Sequence, residues 1–319
     1  MKVGVLQFFS WPGRHGPLED VYARALERIE IMDHGGFDAV WLAEHHFTTF
    51  SVCPSVHMLG VLAAARTKRL RIGTAVSLAP FYHPLRLAEE VALLDMLSGG
   101  RVNWGAGRGF ARVEFEAFGV PPEESASRFR ETVEIVLKAW TEEKLSFKGQ
   151  HYNIEAIEVL PKPLQKPHPP VWVAATSEPA IAWAAGRGFS ILMDPHCTHA
   201  ELGAKRAYYR RQLAAAGFSD AGRDIPMARL IAVAPTAARA AEIARRGAAW
   251  TVGAYIGGRG DVDPVERYVN EVIVHGTPAS VLEQIQALQE TAAMNYLLCA
   301  PLSQESFALL TDEVLPKLA

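Results

Sequence analysis

Short runs of apolar and β-branched residues alternate along this chain with longer segments in which apolar residues recur at the helical period. Eight of the short runs have the length and composition of buried strands. They cover residues 3–8, 39–42, 70–76, 102–105, 171–174, 190–193, 228–233 and 296–300. Eight strands separated by helices predict an α/β fold, a TIM-like (β/α)8 barrel, in preference to an open doubly wound sheet.

The helical segments fall between these strands, and glycines mark several of their ends. The segments cover residues 18–34, 55–66, 84–97, 127–140, 179–187, 199–216, 237–250, 278–292 and 304–315. Gly35 and Gly36 stand before the second strand, and Gly99 and Gly100 before the fourth. Because glycine accepts the left-handed conformation that ends many helices, these positions agree with repeated βα units.

Two stretches exceed the minimal repeat, so the chain, residues 1–319, is predicted to form a single barrel domain with insertions at about 143–170 and 252–277. Loops of this length inside a compact domain are usually functional or inserted segments. The first is expected to contain a hairpin, with strands at 151–154 and 157–160, followed by a proline-rich lead into the fifth strand. The second contains Gly257-Gly258-Arg259-Gly260 and is expected to be a mobile wall of the site.

Composition and charge remove several classes of function. The chain has 32 Lys and Arg against 35 Asp and Glu, a net charge of −3, so the basic footprint of a nucleic-acid-binding protein is missing. Its 3 cysteines are far apart and odd in number, which favours a reducing compartment over a disulfide framework. No apolar run approaches the roughly 20 residues of a membrane span, and the N-terminal run is too short for a signal peptide. We therefore expect a cytoplasmic protein with neither nucleic acid nor membrane as a partner.

The functional side chains of a parallel barrel follow the C-terminal ends of its strands. Thr176 or Ser177 stands just before Pro179 and is expected to cap a helix whose free amides attract an anion. Arg108, between two glycines after the fourth strand, can offer its planar guanidinium to the same anion. An aromatic ligand with a phosphate tail suits this set of groups, although an ordinary helix cap and a surface arginine would leave the same pattern.

Two adjacent histidines, His45 and His46, follow Glu44 at the end of the second strand. Neighbouring side chains on an extended segment point in opposite directions, and no third ligand stands at metal spacing, so a metal site is not expected. A histidine beside a carboxylate at a strand end suits proton transfer or a hydrogen bond to a reactive intermediate. A hydrogen-bonded structural role remains the alternative for either imidazole.

An ordered series of motifs resembles the bacterial luciferase-like flavin monooxygenases. It comprises GFDAVWLAEHHF from Gly36, IGTAV from Ile72, HPLR from His83, SGGR from Ser98, GRG from Gly107, WAAGRG from Trp183 and GTP from Gly276. The motifs cover nearly the whole chain in the family's order. The resemblance implies a TIM-like barrel that binds reduced FMN, delivered by a separate reductase, and lets it react with oxygen to a C4a-(hydro)peroxyflavin.

The resemblance also implies roles for particular residues. His45 matches the family's catalytic histidine, and the FMN phosphate would meet Arg108 and Ser177, with Thr176 and Ala180 nearby. Ala75 and Val76 match the place where the family has a non-prolyl cis peptide beneath the flavin ring. The expected substrate pocket consists of Phe8, Trp11, Glu44, Phe47 and Phe110.

Two departures from the light-emitting members put light emission in doubt. Gly107 replaces a cysteine near the flavin, which is expected to leave more room there, and Ala111 replaces an aromatic residue. The function expected is therefore oxidation of a small organic substrate such as an aldehyde or ketone, in a homodimer that pairs through early helices. A deazaflavin-dependent oxidoreductase on the same fold and a non-catalytic flavin-binding protein are the alternatives.

Overall fold

The structure, a computed structural model, describes residues 1–256 and 263–318. Its strands are β1 (Lys2–Gln7), β2 (Ala39–Leu42), β3 (Arg71–Thr74), β4 (Ser77–Leu78), β5 (Val102–Gly107), β6 (Leu145–Lys148), β7 (Asn153–Ile157), β8 (Val171–Ala174), β9 (Ser190–Leu192), β10 (Pro226–Val233), β11 (Val274–Gly276) and β12 (Tyr296–Pro301). Its α-helices are α1 (Leu18–Gly35), α2 (Val56–Arg66), α3 (Pro84–Leu97), α4 (Arg112–Phe118), α5 (Ser125–Thr141), α6 (Glu178–Gly186), α7 (His199–Ala215), α8 (Ala237–Thr251), α9 (Pro264–Glu271), α10 (Pro278–Ala292) and α11 (Gln304–Leu309).

Eight parallel strands close into a barrel. They pair in the order β10, β12, β1, β2, β3, β5, β8, β9. The ring closes between β9 and β10 through a parallel bridge from Met193 to Met227, with the Met193 amide donating to the Pro226 carbonyl at 2.9 Å. The predicted TIM-like barrel is confirmed, and all eight predicted strands are present.

Large aromatic side chains fill the barrel interior. The rings of Trp41 and Trp172 pack edge to face with centroids 5.2 Å apart, and Trp41 Nε1 donates to the Tyr296 hydroxyl at 3.1 Å. Gly73, on the neighbouring strand, leaves the space that the Trp41 indole occupies, because a Cβ there would collide with the ring. The interior is therefore a packed core, and ligand space is confined to the barrel ends.

In both insertions, strands or helices lie at residues where the sequence pattern does not predict them. The predicted hairpin is present in the first insertion, but it pairs β6 with β7, so the predicted strand bounds of 151–154 and 157–160 are wrong. Glu131 explains the shift, because its carboxylate accepts the amides of Gln150, His151 and Tyr152 and makes these residues the turn. In the second insertion α9 and β11 occupy much of the predicted loop, and the run from Gly257 to Gly260 lies outside the described residues.

Among the helices of the described ranges, none combines the length and the apolar composition that crossing a membrane requires.

Candidate active site

A cavity of about 840 Å³ opens at the C-terminal ends of β2, β3, β5, β8 and β9. This is the end of a parallel barrel at which functional residues are expected. The fold brings most of the predicted site residues together in its lining. They are Phe8, Glu44, His45, Ala75, Val76, Arg108, Phe110, Thr176, Ser177 and Ala180.

Trp11 and Phe47 were predicted for the substrate pocket, but neither belongs to this lining. Trp11 Nε1 donates to the Gly16 carbonyl at 3.1 Å, and Arg14 lies over the indole ring. Phe47 has a positive φ of 58°, which directs its ring toward Phe118, and the residue stays 63% exposed. Local backbone geometry therefore separates both aromatic residues from the cavity.

One end of the cavity collects groups suited to an anion. Ser177 is the N-cap of α6, yet its hydroxyl makes no capping hydrogen bond, unlike the capping Thr198 of α7. Arg108 lines the same cavity and donates to Ser125 Oγ at 3.3 Å. The guanidinium groups of Arg108 and Arg130, the Ser177 hydroxyl and the N-terminus of α6 are the kinds of donor that bind a phosphate monoester.

Arg130 is the second guanidinium of this end, and the sequence analysis missed it. It lines the cavity from α5 and lies over the Trp183 ring at 5.7 Å. In the sequence, Arg130 is one of two arginines on the predicted helix 127–140, and the pattern does not distinguish it from the neighbouring Arg128. Arg128 instead pairs with Glu124 at 2.7 Å.

His45 lies on another wall of the cavity and is held by its backbone and by a carboxylate. Its amide donates to the Cys53 carbonyl at 3.1 Å, and its Nδ1 lies 3.8 Å from Glu114 Oε1. Glu114 is buried on α4 and also accepts the His46 amide at 3.0 Å. Neither α4 nor the place of Glu114 could be predicted from the sequence pattern, because the helix is only 7 residues long.

Glu44 and His46 make polar contacts that hold the structure around the cavity. Glu44 Oε1 contacts His46 Nε2 at 3.0 Å and accepts the Tyr82 hydroxyl at 3.0 Å, while Oε2 accepts the Leu78 amide. The two imidazoles diverge, as the sequence analysis expected. The hydrogen-bonded structural role fits His46, whereas His45 lines the cavity.

The peptide bond between Ala75 and Val76, which lines the cavity, is cis. Gly107 on the adjacent strand lies against Val76, whose side chain occupies the place where a Cβ of residue 107 would stand. The expectation that Gly107 leaves more room in the site is therefore wrong, because Val76 fills that space.

The residues that follow β9 form a polar wall of the same cavity. Asp194, His196 and Cys197 all line the cavity. Burial lowers the pKa of His196 to about 4, so its imidazole is neutral near pH 7. Burial opposes ionisation of Asp194, but Lys205 and other positive neighbours outweigh it and lower the pKa of that carboxyl.

The segment that follows this wall starts a helix, as predicted. Thr198 Oγ1 accepts the Glu201 amide at 3.1 Å, and the Glu201 carboxylate accepts the Thr198 amide, which forms a capping box. In the described ranges, no group of three or more His, Cys, Asp or Glu side chains could hold a metal ion.

A parallel barrel whose strand ends surround a cavity lined by Arg108, Ser177 and His45 belongs to the class of α/β barrels with a site at this end. Comparison with known sequences then identifies the family. Residues 1–295 match the profile of the luciferase-like monooxygenases, and the chain belongs to that family.

Characterised relatives align with part of the chain. The oxygenase component of the flavin-dependent trigonelline monooxygenase of Acinetobacter baylyi is 32% identical over 56% of this chain and 49% of its own length. The alkanal monooxygenase alpha chain of Photorhabdus luminescens is 32% identical over 51% of this chain and 45% of its own length. The chain thus spans about half the length of the curated relatives it matches.

Solved structures resemble the chain over its full length. The monooxygenase RslO1 of Streptomyces bottropensis superposes with a TM-score of 0.85 at 26% identity, and the alignment covers 100% of both chains. The oxygenating constituent of 3,6-diketocamphane monooxygenase from Pseudomonas putida, solved with FMN, gives 0.83 at 20% identity over 99% and 98%. An F420-dependent secondary alcohol dehydrogenase gives 0.81 at 18% identity over 100% and 99%. The last two similarities show the shared fold alone.

Proposed function

We propose that the chain is the oxygenase of an FMN-dependent monooxygenase that oxidises a small organic substrate, such as an aldehyde or ketone. The observation that carries the proposal is that Arg108, Arg130 and Ser177 line the same cavity, and that the Ser177 hydroxyl makes no capping bond. These groups would hold the FMN phosphate, with Thr176 and Ala180 beside it. When bound, reduced FMN supplies the electrons that activate oxygen.

The ring system of the cofactor would lie against Ala75, Val76 and Gly107, which line the middle of the cavity. The small Ala75 side chain and the apolar Val76 side chain, which packs over Gly107, offer a planar ring an apolar surface to lie against. The fit to FMN therefore rests on two features of one cavity, a charged end for a phosphate and a flat apolar surface for a ring.

His45 would move a proton at Nε2 during oxidation of the substrate. Its other nitrogen, Nδ1, faces the Glu114 carboxylate, which favours the tautomer with the proton on Nδ1 and orients the ring. The substrate would pack beside Phe8 and Phe110, which also line the cavity. Part of the wall predicted at 252–277 to exclude water lies outside the described residues.

An equilibrium titration with reduced FMN and reduced riboflavin under anaerobic conditions tests the phosphate site. The wild-type protein should bind FMN at least tenfold more tightly, because riboflavin lacks the phosphate. Arg108→Ala should weaken FMN binding by about 1.5–3 kcal/mol and leave riboflavin binding unchanged. Arg112→Ala, at an exposed arginine paired with Glu116, is the matched control. Equal affinity for the two flavins in the wild-type protein would refute the assignment.

The same titration separates the main alternatives. Tight binding of reduced F420 with no binding of FMN would support the deazaflavin-dependent oxidoreductase, whose fold this chain shares. Tight FMN binding without formation of an oxidised product from any tested aldehyde or ketone would support a non-catalytic flavin-binding protein.

Two partners complete the proposal. A separate flavin reductase would deliver reduced FMN, since the trigonelline relative is named as an oxygenase component.

The chain would also form a homodimer through α2 and α3. These helices expose apolar side chains on their outer faces, namely Met58, Val61, Leu62, Leu93, Met96 and Leu97. Exposed apolar patches of this kind mark protein interfaces.

A further inference from the structure

A second cavity, of about 420 Å³, adjoins the main one. It lies at the C-terminal ends of β1 and β12, between α1 and α8. Leu6 and Phe8 line both cavities and form the wall that they share. A molecule in the second cavity would therefore reach the catalytic cavity past the Phe8 ring. We call this second cavity the annex.

Three arginines surround the annex. Arg24 and Arg28 lie one turn apart on the same face of α1, and Arg246 approaches from α8. Arg28 donates from Nε to Gln304 Oε1 at 2.6 Å. In the part of the chain that the structure describes, no carboxylate forms an ion pair with any of the three. Burial, and then the charge of Arg24, lower the pKa of Arg28, whose guanidinium lies over the Phe307 ring.

Two buried polar atoms of the annex lining have no hydrogen-bond partner among the described residues. One is Oε1 of Gln7, a residue that is only 5% exposed, and the other is Nε1 of Trp250. Leaving a buried polar atom unpaired costs about 1–3 kcal/mol, so such atoms usually face a ligand or ordered water. Trp250 Nε1 is a donor and suits an anionic oxygen, whereas Gln7 Oε1 suits a ligand hydroxyl or water.

The rest of the annex is mainly apolar. The side chains of Val21, Phe50, Leu230 and Leu302 contribute to its walls. A fully hydrated inorganic anion gains little from such a surface, whereas an organic anion with a hydrocarbon body buries apolar area against it. The annex thus combines a positively charged rim with an apolar passage toward the main cavity.

We infer that the annex binds the carboxylate end of an organic-anion substrate whose apolar part extends past Phe8 into the catalytic cavity. This assignment of a substrate class rests on the proposed function. The guanidinium groups of Arg24, Arg28 and Arg246 provide the charge and the forked donors that a carboxylate accepts.

Calorimetric titration of the full chain with octanoate, 1-octanol and octylamine, at low ionic strength, tests the inference. Octanoate should bind at least about tenfold more tightly than octanol, because its negative charge attracts the arginines. Octylamine should bind more weakly than both, because its positive charge is repelled. The double variant Arg24→Gln/Arg246→Gln changes two exposed residues and should lose about tenfold in octanoate affinity, with octanol affinity unchanged. Raising the salt concentration should weaken only octanoate binding.

Two controls and the FMN titration make the outcomes distinct. Arg211→Gln, on α7, should bind octanoate like the wild-type protein, and Arg28→Lys, which keeps the charge, should lose less than the double variant. Unchanged octanoate affinity in the double variant, with FMN bound normally, would overturn the inference and leave the proposed function intact. Inorganic phosphate that binds Arg108→Ala, in which the proposed FMN phosphate site is weakened, as tightly as octanoate does would also overturn it. Arginine-dependent octanoate binding without FMN binding would overturn the proposed function while the anion site stands.

Discussion

His45 and His46 are neighbours in sequence, but the fold separates their surroundings. His46 Nε2 contacts the buried Glu44 carboxylate at 3.0 Å, and its ring packs against Phe118 with centroids 4.8 Å apart. His45 lines the main cavity with Nδ1 directed to Glu114. At the residue scale, we therefore propose the chemical role for His45 and a structural role for His46.

His45→Ala should lower turnover by about 10²–10⁴-fold, the usual contribution of a positioned acid or base. Its affinity for reduced FMN should stay within about twofold of the wild-type value, since the phosphate end of the cavity is untouched. The steady-state rate of oxidised product formation, together with the anaerobic FMN titration, measures both quantities. An unchanged rate of product formation with a productive substrate would contradict the assignment to His45.

Most of the candidate site could be predicted from sequence because barrel topology places strand ends in one ring. Arg108 and Ser177 follow β5 and β8, which are neighbours in that ring. His196 follows β9 in the same ring and could be found in the same way, but Glu114 and Arg130 could not. Their approach to the cavity depends on how helices and loops pack beyond the strand ends, and local periodicity carries no information about that packing.

At the scale of elements, a buried chain of polar contacts joins α2, β4 and α3 beside the cavity. His57 Nδ1 lies 3.0 Å from Glu90 Oε2, and His57 Nε2 lies 3.0 Å from Ser77 Oγ. Ser77 directly follows the cavity-lining Ala75 and Val76. The hydrogen bond from His57, with a further contribution from Arg86, lowers the pKa of Glu90 to about 2.

Glu90→Gln should reduce the free energy of unfolding by about 1–2 kcal/mol at pH 7. The folded pKa of Glu90 lies below the unfolded value of about 4.3, so its contribution is complete above that value and is lost as pH falls toward 2. Urea denaturation at several pH values should show the difference from wild type shrinking over this window. Glu89→Gln, at the exposed neighbouring glutamate, is the control. A difference independent of pH would contradict the account.

The elements that sequence reasoning missed are short or held by distant side chains. The helix α9 has 8 residues and begins where Asp263 Oδ1 accepts the Val265 amide, a capping signal that the nearby glycine run obscured. The strand β11 has 3 residues and exists because it pairs with β10. Long amphipathic helices such as α3 and α10 have the predicted bounds, because their apolar faces repeat over several turns.

At the scale of the whole molecule, the outer faces of α2 and α3 predict a homodimer. Met58 is 76% exposed and Leu97 is 58% exposed, which leaves apolar surface in contact with water in an isolated chain. Leu97→Glu combined with Met58→Glu should shift the wild-type dimer to a monomer in sedimentation velocity. Leu160→Glu, at an equally exposed leucine outside this patch, should remain dimeric. A wild-type protein that sediments as a monomer at micromolar concentration would contradict the proposal.

The central claim is that this barrel holds reduced FMN for reaction with oxygen, and rapid mixing tests it most directly. The protein loaded anaerobically with reduced FMN is mixed with oxygenated buffer, and the appearance of oxidised flavin is followed by its absorbance. We predict a lag before oxidised flavin appears, absent with free reduced FMN and lost in Arg108→Ala at subsaturating FMN. Oxidised flavin that appears at the same rate with and without saturating wild-type protein would contradict the account.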